Sequence, residues 1–117
     1  MKEVSGVIYL FKPGIVKKEQ IEPEAEVEAY LQKKIKSAGG RAYKFVSPGN
    51  RGVTDRLVLM PGRRIYFVEL KKTKETPTGQ QNQQHKIMVG FGFPVFVIDY
   101  KAGVDEFIET YLEVKKH

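Results

Sequence analysis

The chain has 117 residues, a hydrophobic fraction of 41% and a formal net charge of +6. These values suit one domain with its own core, and the absence of cysteine excludes disulfides, zinc–thiolate sites and a cysteine nucleophile. No apolar run approaches the ~20 residues that span a bilayer, so we expect a cytoplasmic protein with no membrane partner. The basic charge makes nucleic acid the first partner to consider, although lysine runs are often only solvated helix faces.

The first half of the chain predicts one helix and three strands. Residues 1–22 are set apart as an N-terminal extension of unknown role, with a possible strand at 4–11. A helix is predicted from Pro23 to the Gly39-Gly40 stop, because glutamates lie near its start and lysines near its end. Strands are predicted at 42–46, 56–60 and 65–70, the last two joined by a turn at Pro61-Gly62.

The second half predicts helix, strand and helix. Thr78 and Gln81 have the spacing of a capping box, which places a helix from there to about residue 89. A strand at 95–100 and a helix at 104–114 follow. A helix between the third and fourth strands allows those strands to run parallel. The predicted fold class is therefore α/β, with residues 23–117 forming one domain of a mixed sheet flanked by helices, in the order α-β-β-β-α-β-α.

Three charged residues are expected to converge at one end of this sheet. Glu69 and Lys71 are two residues apart on one strand, so they point to the same face. Antiparallel pairing through the Pro61-Gly62 turn brings Asp55, at the start of the preceding strand, beside them. An isolated Glu-x-Lys is more often an ion pair of an edge strand, but Asp55 and Gln81 together with it favour a functional site.

Two neighbouring carboxylates repel each other unless a cation lies between them. Oxygen ligands suit Mg²⁺ or Mn²⁺, which keep several waters and use one or two carboxylates together with substrate phosphate. Lys71 would then orient the attacking water and neutralise the transition state, or act as general base. The pattern indicates metal-dependent phosphate chemistry. His85 and His117 lie in poor positions to share such a centre, and His85 is expected on the helix surface.

These motifs resemble the PD-(D/E)xK nuclease superfamily, and within it the virus-type replication-repair nuclease (VRR-NUC) family. The resemblance rests on Gly52-Val-Thr-Asp55, the hairpin, Val-Glu69-Leu-Lys71 and Thr78-x-x-Gln81, and it extends from about residue 23 to 109. It implies a restriction-endonuclease-like fold. It also implies that Asp55 and Glu69 bind the metal ion together with the Leu70 carbonyl, that Lys71 is catalytic, and that Gln81 faces the site.

The resemblance also implies a glutamate from the first helix. Its spacing from the apolar stripe favours Glu28 over Glu24, with Glu26 at the far edge. Thr54 replaces the family's proline before the aspartate, a change that we do not expect to disturb the metal site. Thr78 and Gln81 could equally serve only as a helix cap.

The resemblance implies an endonuclease that cuts branched DNA as a homodimer, similar to a Holliday junction resolvase, in a phage or bacterial setting. Arg51, Lys72 and Lys74 are the candidate DNA-binding residues, because the loop at 47–52 and the basic group after Glu69 adjoin the site. Two alternatives stay open from the sequence. One is a flap, nicking or restriction-type nuclease, and the other is a non-catalytic DNA-binding module with the same fold.

Overall fold

The computed structural model describes residues 2–50 and 52–114. Its strands form one six-stranded mixed sheet in the order β1-β2-β6-β5-β4-β3. The strands are β1 (Lys2–Val4), β2 (Val7–Leu10), β3 (Arg41–Lys44), β4 (Arg56–Met60), β5 (Arg64–Leu70) and β6 (Val95–Ile98). The helices are α1 (Glu24–Ser37), α2 (Gly79–Gly90) and α3 (Lys101–Glu106), with a short 3-10 turn at Lys18–Gln20 and a π-helical turn at Phe107–Tyr111.

The β4–β5 hairpin fixes the position of the site. Its strands pair antiparallel, with Arg56 opposite Val68 and Met60 opposite Arg64. Gly62 and Arg63 both have positive φ in the turn, as tight hairpins require. β5 then pairs parallel with β6, because α2 carries the chain back across the sheet. Both the hairpin and the parallel pairing predicted from the sequence are confirmed.

The main core lies between the sheet and helices α1 and α3. Val27, Leu31 and Ile35 form the buried stripe of α1 and pack against a cluster that includes Val68 and Phe107. A smaller cluster on the other face joins α2 to β2 and β6, through Val89 among others. Helices therefore cover both faces of the sheet, as expected for the predicted α/β class.

The N-terminal segment contributes two strands to the same sheet. β1 and β2 form a hairpin, and β2 pairs parallel with β6. The side chain of Leu10, at the end of β2, is buried in the main core. Residues 2–10, predicted to belong to an N-terminal extension, are thus structurally part of the sheet.

The terminal helix begins three residues earlier than predicted, at Lys101 rather than 104. The backbone N–H of Lys101 donates to Glu22 Oε1 at 2.8 Å, a contact between distant parts of the chain that local sequence does not reveal. Within the described residues, no helix is long and apolar enough to cross a membrane.

Candidate active site

Asp55 and Glu69 lie opposite each other at one end of the β4–β5 hairpin. The register that pairs Arg56 with Val68 places Asp55 across from Glu69 one step further along, and directly opposed residues share a face of the sheet. The backbone N–H of Leu70 lies 3.4 Å from Asp55 Oδ1. The Asp55 carbonyl accepts a hydrogen bond from Phe45 N–H at 2.9 Å, so the backbone of Asp55 is also held in the sheet.

The surroundings of Asp55 oppose its ionisation. Burial and, after it, the charge of the neighbouring Glu69 carboxylate raise the pKa of Asp55 to about 7. Arg56 and the Leu70 N–H lower the pKa of Asp55, but by less than burial and Glu69 raise it. Arg56 Nη1 lies 3.5 Å from Asp55 Oδ2, but a cation bound between the two carboxylates would relieve the remaining repulsion between them.

Glu69 is buried, with 2% of its surface exposed. Its Oε2 accepts a hydrogen bond from Gln81 Nε2 at 2.9 Å. Its Oε1 is buried and has no hydrogen-bond partner among the described residues. A carboxylate oxygen without a donor in such a position is costly unless a cation or a water binds it.

Gln81 has two roles at once. Its backbone N–H donates to Thr78 Oγ1 and its side-chain Oε1 accepts from Thr78 N–H, which completes the capping box of α2. Its side-chain amide nitrogen is then free to donate to Glu69. The cap and the contact with the acid, which the sequence left as alternatives, are compatible because they use different atoms of one side chain.

Lys71 follows Glu69 at the end of β5 and is 8% exposed. Its backbone N–H donates to the Ile98 carbonyl, which continues the β5–β6 pairing past the strand end. Its Nζ lies 3.9 Å from Glu75 Oε1. The ammonium group thus makes one long ion pair, with Glu75, and its charge also interacts with that of Glu24.

The glutamates of α1 divide between two environments. Burial raises the pKa of Glu24, and its charge interacts with those of Lys71 and Glu69. Glu28 instead forms an ion pair with the buried Arg56. Arg56 Nη1 in turn donates to the Asp55 carbonyl at 2.7 Å. Glu24 thus lies within electrostatic range of Asp55 and Glu69, whereas the favoured Glu28 is connected to Asp55 through Arg56.

The two remaining glutamates near the start of α1 hold other parts of the fold. Glu26 lies 3.5 Å from Lys101 Nζ, and Glu22 accepts from the Lys101 backbone. Neither contact involves the carboxylates of the site.

The loop between β3 and β4 packs against the start of α2. Gly52 has φ +89°, and a Cβ there would lie 2.4 Å from the Gln80 carbonyl oxygen, so only glycine fits this approach. Pro48, Gly49 and Asn50 of the loop line an open cleft of about 440 Å³ with glutamines of α2. Arg51, the predicted phosphate contact in this loop, lies outside the described residues.

The predicted DNA-binding lysines are exposed beyond the end of β5. Lys74 Nζ donates to the Lys12 carbonyl at 2.8 Å, and its backbone N–H donates to the buried Asp99 at 2.7 Å. Lys72 lies between the buried Lys71 and Thr73. The structure therefore places Lys72 and Lys74 immediately after the catalytic candidates.

The expectation that His85 lies on the helix surface is wrong. Its side chain is 1% exposed, and its Nε2 lies 3.9 Å from Glu69 Oε1, so it is also not remote from the centre. His85 is four residues after Gln81 and therefore shares its helix face. That spacing was a usable signal, but which face of a glutamine-rich helix meets the sheet could not be read from the sequence. Arg56, between Asp55 and Glu28, was also missed.

The side chains of the candidate site can be compared with the ligands that a divalent metal ion needs. No group of three or more His, Cys, Asp or Glu side chains within 2–50 and 52–114 is arranged as a metal site. Mg²⁺ and Mn²⁺ need fewer, since one or two carboxylates with waters and substrate phosphate suffice. Asp55 and Glu69 supply two, and the unpartnered Oε1 of Glu69 is open to a cation. The residues present fit such an ion.

Comparisons with known proteins decide the family. The chain is 46% identical over 76 residues to "Putative nuclease p44" of Acyrthosiphon pisum secondary endosymbiont phage 1. The aligned region covers 65% of this chain and 82% of that protein. A solved structure described as "VRR_NUC domain" superposes with a TM-score of 0.71 at 35% identity, covering 75% of this chain and 96% of that one. The chain belongs to the VRR-NUC family. No protein-family profile matches it.

Membership of the VRR-NUC family confirms the resemblance drawn from the sequence motifs. It also confirms the predicted fold class, an α/β restriction-endonuclease-like sheet with helices on both faces. The VRR-NUC superposition leaves a quarter of this chain uncovered.

Proposed function

We propose that this protein is an endonuclease that hydrolyses DNA phosphodiester bonds with Mg²⁺ or Mn²⁺. The observation that carries the proposal is the pair of carboxylates, Asp55 and Glu69, facing each other across the hairpin beside Lys71. The similarity to a phage protein named as a nuclease supports it. The +6 charge would attract the DNA polyanion.

Asp55 and Glu69 would hold the ion, with the Leu70 carbonyl as a further ligand. When bound, the ion would polarise the scissile phosphate and make a water nucleophilic at neutral pH. Lys71 would orient that water and neutralise charge that develops on the phosphate. Gln81 keeps Glu69 in place through its side-chain amide. Lys72, Lys74 and Arg51 would contact flanking phosphates.

Glu24 is the better candidate than Glu28 for the acid contributed by α1. The charge of Glu24 interacts with Asp55 as well as with Glu69. The charge of Glu28 is already paired with Arg56. We therefore assign Glu24 to the surroundings of the metal ion. Glu28 would instead hold Arg56, whose Nη1 donates to the Asp55 carbonyl.

The proposed substrate is branched DNA, cut by a homodimer with two active sites. One surface is suited to a second copy of the chain. α2 packs on β2 and β6 and contacts Glu69 at the end of β5. Towards the hairpin turn and β3, the same face of the sheet exposes Tyr43 (53%), Leu59 (36%) and Ile65 (53%). Exposed apolar patches of this kind commonly mark interfaces. Such a dimer would act in the cytoplasm, whose reducing conditions agree with a chain without cysteine.

The proposal is tested with matched DNA substrates and a measured mass. We expect the protein to cut a four-way junction faster than a flap, a linear duplex or a single strand of the same sequence, with Mg²⁺ or Mn²⁺ and not with a chelator. Light scattering should give twice the chain mass of 13.4 kDa. Faster cleavage of the flap or of the linear duplex would show that the four-way junction is not the preferred substrate. Salt-sensitive binding with no cleavage under any divalent ion would leave only a DNA-binding module.

A further inference from the structure

The environment of His85 contains three buried polar atoms without partners. Both ring nitrogens of His85 and Oε1 of Glu69 make no hydrogen bond to any described residue. Each such buried group costs about 1–3 kcal/mol of stability when it stays unsatisfied, so a buried imidazole is an expensive choice at this position. An apolar side chain of similar size would fill the space without that cost.

The imidazole and the carboxylate face each other. His85 Nε2 lies 3.9 Å from Glu69 Oε1, with the side chains 1% and 3% exposed. This separation is too long for a direct hydrogen bond. A small rotation of either side chain would close it, and a single water at hydrogen-bonding distance from both atoms would bridge it. Neither atom makes another hydrogen bond to the described residues.

α2 already holds the other oxygen of the same carboxylate. Gln81 Nε2 donates to Glu69 Oε2 at 2.9 Å, and His85 is one helical turn further along the same face. A donor from His85 to Oε1 would fix both oxygens from one rigid helix. Each carboxylate oxygen can still bind a cation, since a carboxylate has about four lone-pair sites.

We propose that His85 is a positioning residue, which donates a hydrogen bond from Nε2 to Glu69 Oε1, directly or through one water, and so sets the orientation of this carboxylate for metal binding. The inference rests on the proposed metal-dependent function. Groups that orient metal ligands typically contribute about 10- to 100-fold in metal affinity. His85 touches neither the ion nor the DNA in this scheme.

Three substitutions distinguish a donor at Nε2 from simple filling of space. His85→Gln places an amide N–H as many bonds from the backbone as Nε2. His85→Asn places its amide only at the Nδ1 position, and His85→Phe keeps the ring without any donor. The readouts are the dissociation constant for Mn²⁺ by calorimetry without DNA, the melting temperature by circular dichroism, and the metal concentration needed for half-maximal cleavage.

We expect Mn²⁺ binding to weaken about 10-fold or more in His85→Phe and His85→Asn, and His85→Gln to stay near the wild type. The half-maximal metal concentration should rise in parallel. Equal Mn²⁺ affinity in the wild type and His85→Phe would overturn the inference, as would equal weakening in His85→Gln and His85→Asn. A wild type that neither binds Mn²⁺ nor cleaves DNA would instead overturn the proposed function, so the two failures are distinguishable.

Discussion

Asp55 is held by the sheet in surroundings that oppose the ionisation of its carboxyl group. Burial and the opposed Glu69 raise its pKa to about 7, far above the ordinary value of 3.8. The convergence of Asp55 with Glu69 was predictable, because strand periodicity and one turn determine it. The unpartnered Oε1 of Glu69 and the buried His85 beside it were not predictable, since both depend on how α2 docks on the sheet.

This pKa makes the stability of the metal-free protein depend on pH. Between about pH 4 and 7 the folded state keeps the Asp55 proton while the unfolded state has lost it, so the free energy of unfolding falls as pH rises. One pKa unit corresponds to about 1.4 kcal/mol, and partial exposure of the side chain to solvent reduces the effect, so we expect a loss of about 2 kcal/mol across this window.

Urea unfolding at several pH values, with a chelator present, measures this loss. Asp55→Asn should abolish most of it and stabilise the protein at pH 8, whereas the exposed control Glu109→Gln should follow the wild type. A stability that rises from pH 4 to 7 to the same extent in the wild type and Asp55→Asn would contradict the raised pKa.

Among the elements, α2 has a start that local sequence determines and a buried face that depends on distant parts of the chain. Its start was predictable because Thr78 and Gln81 form a capping box, a purely local pattern. Its buried face was not, because polar residues cover most of the helix and leave little apolar stripe to orient it. The role of β1 and β2 was missed for a related reason: β2 pairs with β6, some 85 residues later in the chain, and no local pattern encodes that partner.

The two roles of Gln81 can be separated by substitution. A glutamate also completes a capping box, so Gln81→Glu should keep the cap but lose the N–H donor to Glu69 and add a like charge beside it. We expect cleavage to fall at least about 10-fold with little change in helix content. Thr78→Ala should do the reverse, costing about 1 kcal/mol of stability through the lost cap while keeping most activity.

Cleavage rates and thermal unfolding of these two variants, measured side by side, provide the check. If Gln81→Glu cleaved DNA at the wild-type rate, the side-chain contact with Glu69 would have no function. If Thr78→Ala lost as much activity as Gln81→Glu, the glutamine would act only through the helix cap.

At the scale of the whole molecule, the proposed site depends on separate segments that meet at one end of the sheet. The hairpin brings Asp55, Glu69 and Lys71, α2 brings Gln81, and α1 brings Glu24. The sequence proposed the hairpin residues and Gln81, and the structure brings Gln81 to Glu69, while their roles stay predictions. The choice between Glu24 and Glu28 needed the docking angle of α1 and the ion pair with Arg56, which no spacing rule supplies.

The most direct measurement is the single-turnover rate of junction cleavage with Mg²⁺ for the wild type and for Asp55→Ala, Glu69→Ala and Lys71→Ala. Circular dichroism and DNA binding in the absence of metal verify each fold, and the exposed Glu109→Ala and Lys36→Ala serve as matched controls. We expect each of the three site variants to lose at least about 100-fold in rate while the controls keep the wild-type rate. Ordinary cleavage by a folded Glu69→Ala protein would contradict the account.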